Sequence, residues 1–193
     1  MRLPIIVAGN VWLKNLGGQI RIDGAVSTAM IKIGFGEVSI FEVAKSRSIW
    51  DVSGTVVFKG CARIGRGSKI IVWHDAKLIF NDKFCISAES SIVCKKAITF
   101  GVDDLVSWGV LVMDTDFHKI KDMRGNRLNP DGEIIIGNHV WICCRCTILK
   151  NSAIGNNAVI GSGSIISKPI MEDNVLIAGH PAKIMRRDIA WEH

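Results

Sequence analysis

From residue 136 onward the apolar positions follow one rule. Isoleucine recurs at every sixth residue, at Ile136, Ile142, Ile148, Ile154, Ile160 and Ile166. Two residues ahead of each later isoleucine stands a mostly small side chain: Val140, Cys146, Ser152, Ala158 and Ser164. The same phase occupies Val52, Phe58, Ile64 and Ile70, and returns at Phe100, Val106 and Val112. Between these blocks Phe80, Ile86, Ile92 and Ile98 keep the spacing but are displaced by two residues, which predicts slips of register near 76–80 and at 98–100. Before residue 50, Ile20, Ile22, Ile31, Ile33 and Ile40 indicate strands without a clean hexad.

A period of six reads as one short strand plus a turn, and three such units close one coil of a triangular prism. The aliphatic residue points to the axis, and the small residue lets the chain turn without a clash. Stacked coils bury a continuous column and pair their backbones as parallel strands. The predicted fold is all-β: a parallel β-helix over residues 51–172, a β-rich segment 1–50 read as the first irregular coils, and a capping segment 173–193. Met185, Ile189 and Trp191 form a rough helical stripe in that last segment, which predicts a short C-terminal helix. A narrow axis has little room for aromatic rings, in line with their low number. The hand of the coil does not follow from the spacing.

Composition sharpens this picture. The 193 residues include 29 Ile and 17 Val but no Tyr, aromatics make up only 7%, and there are 19 Gly; this mixture favours strands and tight turns over a helical bundle. Mean hydropathy is positive, at +0.28. No apolar run approaches the roughly 18 residues of a spanning helix, and the apolar N-terminal patch is shorter than a signal-peptide core of about 7–15 residues. The reading is a cytoplasmic chain without a membrane span, with peripheral membrane contact left open. Cys143, Cys144 and Cys146 form C-C-x-C with no matching second pair, and Cys61, Cys85 and Cys94 stand alone. That pattern suits free thiols in a reducing compartment better than a zinc site, so no metal is expected. The net charge is +6, and its excess lies before residue 101. No dense basic run interleaved with aromatics argues for nucleic acid.

The repeat breaks once, between Val112 and Ile136. Residues 114–133, D-T-D-F-H-K-I-K-D-M-R-G-N-R-L-N-P-D-G-E, are polar and carry Gly125, Pro130 and Gly132 as breakers. A loop of about 20 residues inside a compact solenoid is usually functional.

With this loop the chain resembles the left-handed β-helix, hexapeptide-repeat acyltransferases, and more narrowly the bacterial O-acetyltransferases of capsule, exopolysaccharide and lipopolysaccharide pathways. The matching residues are Asp114–His118 (D-T-D-F-H), Ile136–Ile142 (I-G-N-H-V-W-I), Ile160–Lys168 (I-G-S-G-S-I-I-S-K) and Ala178–Lys183 (A-G-H-P-A-K). The resemblance implies acetyl-coenzyme A as cosubstrate, a sugar or glycan hydroxyl as acceptor, and a homotrimer with active sites between subunits. It also implies catalysis by His118, donor phosphates at Lys183, and a pantetheine path along Ser162, Ser164 and Lys168. Trp141, projecting outward beside an inward hexad position, either walls the donor tunnel or packs the trimer. Two positions depart from the family pattern: His180 stands where Asn is common, and Cys143 where Gly is common, which puts a side chain on the donor path.

Chemistry gives His118 the same role on separate grounds. A sugar hydroxyl attacks poorly until a base takes its proton, and histidine is poised near neutral pH for that task. In an extended segment Asp114, Asp116 and His118 share one side. One of the two carboxylates could orient the imidazole, Asp116 ahead of Asp114, and a group from elsewhere is the alternative. Transfer would be direct, within a ternary complex, with backbone N–H groups stabilising the oxyanion. Competing readings are N-acetylation of an amino-sugar nucleotide, acetylation of serine or a xenobiotic, a γ-carbonic-anhydrase-like zinc site built from three histidines, and a non-catalytic scaffold.

Overall fold

The computed structural model describes residues 3–42 and 44–193; Met1, Arg2 and Val43 of the N-terminal segment lie outside the described residues. The chain winds into a three-sided parallel β-helix. The first sheet stacks Ile5–Val7, Ile31–Phe35, Ala62–Gly65, Phe84–Ala88, Leu105–Trp108, Trp141–Ile142, Val159–Ile160, Leu176–Gly179 and Ala182–Arg186. The second stacks Val11–Asn15, Ser48–Val52, Lys69–Val72, Ser91–Cys94, Leu111–Met113, Thr147–Leu149 and Ile165–Ile166. The third stacks Gln19–Ile22, Thr55–Phe58, Lys77–Phe80, Ala97–Phe100, Ile134–Ile136 and Ala153–Ile154. The strands before residue 36 therefore belong to the same three sheets as the hexads.

The six isoleucines of the C-terminal run are all buried, none more than 2% exposed. They form one column with Val106 and Val112. Register explains the slips. In the late coils Ile142 pairs with Ile160, so one circuit of the prism is three hexads. In the early coils Ile86 pairs with Val106 and Ile64 with Ile86, and each of those circuits is longer than three hexads. The early coils are therefore wider, and their strands bury two or three residues where most late strands bury one. That width admits rings: Phe58, Phe80, Phe84 and Phe100 are fully buried, with Phe58–Phe80 and Phe80–Phe100 centroids 5.3 and 5.7 Å apart. The narrow-axis expectation thus holds for the late coils and fails for the early ones.

The corners of the late coils share a backbone requirement that the apolar pattern does not display. His139, Arg145, Asn151, Asn157 and Gly163, also six apart, all have positive φ. Where the third sheet turns into the first, Gly101, Gly137 and Gly155 stack so closely that a Cβ on Gly101 would lie 2.1 Å from the Gly137 carbonyl oxygen. Only glycine fits there.

The expected C-terminal helix is absent, and no helix occurs among the described residues. Leu176–Gly179 and Ala182–Arg186 instead form an antiparallel pair. The alternation is of period two: Ala182 and Ile184 turn inward while Lys183 and Met185 face solvent. Edge pairing with the last rung of the first sheet satisfies backbone groups that a helix would leave to its own turns. The tail then folds back, and Trp191 stacks on His139 with centroids 4.1 Å apart and planes 8° apart. No helix among the described residues is long and apolar enough to cross a membrane.

Candidate active site

The residues of interest gather on the corner where the second sheet turns into the third. Successive coils place there Trp73 to Asp75, then Lys95 and Lys96, then the whole 114–133 loop, then Lys150, then Lys168. Neighbouring coils are spaced by about 4.8 Å, the distance between hydrogen-bonded strands.

Asp114 roots the loop. Its fully buried carboxylate accepts N–H bonds from Lys95, Lys96 and Ala97 at 2.7 to 2.9 Å, closing the corner of the coil beneath. Its oxygens are therefore spent on backbone N–H groups. Thr115 is buried as well and donates to Asp131, which also meets Arg127 and Lys95. The tip is a small hairpin, with Lys121 bridging Arg127 and Asp122 accepting from the N–H groups of Arg124 and Asn126.

Asp116 does not pair with the His118 ring. Its Oδ2 accepts from Lys150 Nζ at 2.5 Å and from Asn129 Nδ2 at 2.7 Å, and these bonds hold its carboxyl below the ordinary carboxylate range. Asn129 also donates to the His118 carbonyl at 2.9 Å, and the His118 N–H donates to the Asp116 carbonyl at 2.6 Å. Asp116, Asn129 and Lys150 thus fix the backbone of His118 and leave its imidazole exposed to solvent. Asn129 and Lys150 escape a sequence reading. One lies in a polar loop and the other in an ordinary hexad turn, and only folding brings them to Asp116.

The other expected site residues fall into two groups. Lys168 and Lys183 line one cleft of about 470 Å³ with Ile170, Met171, Ile184 and Glu172, whose carboxylate is paired with Arg187. With Glu172 engaged by Arg187, the two lysines and the apolar side chains between them suit a phosphorylated ligand with an aliphatic arm. Trp141 and Ser162 lie on a different side of the prism. Trp141 faces outward from the first sheet and donates from Nε1 to Ser107 Oγ at 3.1 Å, while Ser162 is exposed at the following corner and accepts from Cys144. Ser164 is buried; it donates to the Gly161 carbonyl and accepts from the Gly179 N–H. Cys143 is half-buried against the core, and burial pushes its thiol up to about 11. All six cysteines are free.

Of the basic residues in the first half, Lys32, Arg63 and Lys83 line a separate cleft on the first sheet. Among the described residues the one grouping with metal-ligand geometry is Asp103, His139 and His193, which has two histidines and not three. It closes as a hydrogen-bonded clasp of the tail, with His139 Nδ1 2.9 Å and His193 Nε2 3.3 Å from the Asp103 carboxylate.

The structure is thus a prism of six-residue repeats interrupted by one long polar loop that carries an exposed histidine. The family model "Bacterial transferase hexapeptide (six repeats)" matches residues 133–168, so the late coils are similar to the hexapeptide repeats of bacterial transferases. An uncharacterized 24.8 kDa protein in the cps region of Klebsiella pneumoniae is 31% identical over 140 residues, covering 72% of this chain and 62% of that one. A polysialic acid O-acetyltransferase of Neisseria meningitidis is 41% identical over 106 residues, 54% of this chain and 49% of that one. This chain thus spans about half to two thirds of the length of these relatives. Among solved structures, the polySia specific acetyltransferase NeuO superposes with a TM-score of 0.59 at 21% identity, over 98% of this chain and 89% of that one, a likeness of fold.

Proposed function

We propose that the protein is an acetyl-coenzyme A-dependent O-acetyltransferase whose acceptor is a sugar hydroxyl of a cell-surface polysaccharide or its precursor. The observation that carries this reading is the exposed imidazole of His118 on a backbone clamped by Asp116, Asn129 and Lys150. A base must present a free ring nitrogen at a fixed point, and such a clamp holds the ring's root while leaving the ring open to substrate. His118 takes the proton of the acceptor hydroxyl as its oxygen attacks the thioester carbonyl. Collapse of the tetrahedral intermediate expels the coenzyme A thiolate, which is protonated as it leaves. Lys168 and Lys183 hold the donor's phosphates. The relatives named as polysialic acid O-acetyltransferases favour oxygen over nitrogen as the attacking atom.

The active form is a homotrimer. Trp141 and Ser162 sit on a different side of the prism from His118, so a donor path using both sets needs a neighbouring chain. The second sheet offers a contact face beyond that corner: Val93, Met113 and Leu149 stack in register, pointing outward and half-buried. Three copies packed head to tail close a ring. The chain works in the cytoplasm, where acetyl-coenzyme A is available.

Coenzyme A release, followed with a thiol reagent across neutral glycosides, sialylated oligosaccharides and lipid-linked glycans, tests the activity. Acceptor-dependent release that vanishes in His118→Ala supports it; release independent of any glycan, or unchanged in the variant, refutes it.

A further inference from the structure

Phe117, the residue before His118, has φ of +59°. A bulky side chain seldom occupies the left-handed region, and such outliers persist where the surroundings enforce them. Here the Phe117 N–H donates to Thr115 Oγ1 at 3.0 Å, and the next N–H closes on the Asp116 carbonyl. The ring is thereby carried out of the loop to Trp73, two coils away on the same corner. The two centroids are 5.9 Å apart and the planes are tilted by 55°. Neither ring is buried: Trp73 is 45% exposed and Phe117 44%. They border a cleft of about 440 Å³ whose remaining walls include Asp51, Lys14, Ile71 and His74. Lys14 Nζ lies 2.6 Å from Asp51 Oδ2, so a donor and an acceptor are held side by side at the rim.

We propose that this cleft binds one pyranose ring of the acceptor, seated on Trp73 and Phe117 with its hydroxyls at Asp51 and Lys14. The proposal rests on the reading of His118 as the base, because the cleft's aromatic wall is the residue next to it. Shape selects the ligand class. Two rings so steeply inclined make a corner and not a parallel-walled slot, so a flat nucleobase can stack on only one of them, whereas a chair-shaped sugar can lay C–H groups against both. Charge points the same way. Lys14 and Asp51 neutralise each other and so offer a phosphate no unpaired cation while giving a hydroxyl both a donor and an acceptor, and mostly apolar walls with a few fixed polar groups are the usual make-up of a small-ligand site. The donor's phosphates find their cations instead at Lys168 and Lys183, on coils beyond the loop.

Saturation-transfer NMR and titration with methyl galactoside, methyl glucoside and a methyl sialoside test this on the full chain. At least one glycoside is expected to bind, receiving saturation from aromatic protons. Trp73→Ala and Phe117→Ala each weaken that binding by roughly tenfold, the worth of about 1.4 kcal/mol, while Trp73→Phe keeps most of it. Unchanged coenzyme A affinity and melting temperature in these variants show that they fold. His118→Ala still binds the glycoside. The proposal is overturned if no glycoside binds the wild type, if both alanine variants bind as well as the wild type, or if coenzyme A displaces the sugar. Transfer that survives His118→Ala would sink the catalytic reading alone, since glycoside binding at the cleft is measured without turnover.

Discussion

Lys150 Nζ lies 2.5 Å from Oδ2 of Asp116, joining a hexad turn to the loop 34 residues earlier. The lysine also donates to the Pro130 carbonyl at 3.1 Å, so one ammonium ties both ends of the loop to the rigid prism. Lys150→Met keeps the aliphatic stem and removes the tie. Transfer should fall by about ten- to a hundredfold through misplacement of His118, with coenzyme A affinity retained. Steady-state kinetics with the best acceptor, alongside calorimetry with coenzyme A, make the comparison; an unchanged kcat would show that the loop holds its place without Lys150.

Asp114 makes a different prediction, of stability and not of catalysis. Three backbone N–H groups converge on its two oxygens in a buried corner. In Asp114→Asn one of those oxygens becomes an NH₂ group that faces donors, leaving at least one buried N–H unpaired. The cost should be about 1–3 kcal/mol, read as a lower urea midpoint at unchanged slope. Full stability in the variant would mean that water replaces the lost bonds.

The depth of this anchoring bears on how much the sequence reveals. The late coils were legible because one Ile per six residues is a direct image of the axis: each isoleucine of that series is buried. The early coils blurred because each side holds two inward residues, such as Ile70 with Val72 and Leu78 with Phe80, so the period stretches and large rings fit. In the tail Met185, Ile189 and Trp191 are spaced for a helix, but the open edge of the first sheet offers backbone partners that favour a strand. Local spacing marks a candidate face, but tertiary pairing decides which element forms. At the site, His118 and the loop stood out as a polar break in an apolar repeat. The partners of Asp116 did not, since contacts between residues 13 and 34 positions apart leave no local trace.

Asp104 supplies a pH dependence. It is fully buried between the first and third sheets' turns, where burial pushes its carboxyl up to about 8 against the pull of the Val140 and Gly101 N–H groups. In the unfolded chain the same group ionises near 3.9. Between those values the folded state keeps a proton that the unfolded state releases, so stability falls as pH rises through the window and levels off above about 8. Melting curves across that range should show the decline, and Asp104→Asn should flatten it. A wild-type melting temperature that rises from pH 4 to 8 in step with the variant's would place the Asp104 carboxyl in the ordinary range.

The proposed base, His118, takes the acceptor's proton during transfer to a glycan hydroxyl. Single-turnover transfer from acetyl-coenzyme A to the best glycan acceptor, comparing wild type with His118→Ala at saturating donor, tests it most directly. The expected result is a loss of roughly a hundredfold or more in the transfer rate, in keeping with the worth of a general base, with coenzyme A binding intact. Transfer by His118→Ala at the wild-type rate would contradict it.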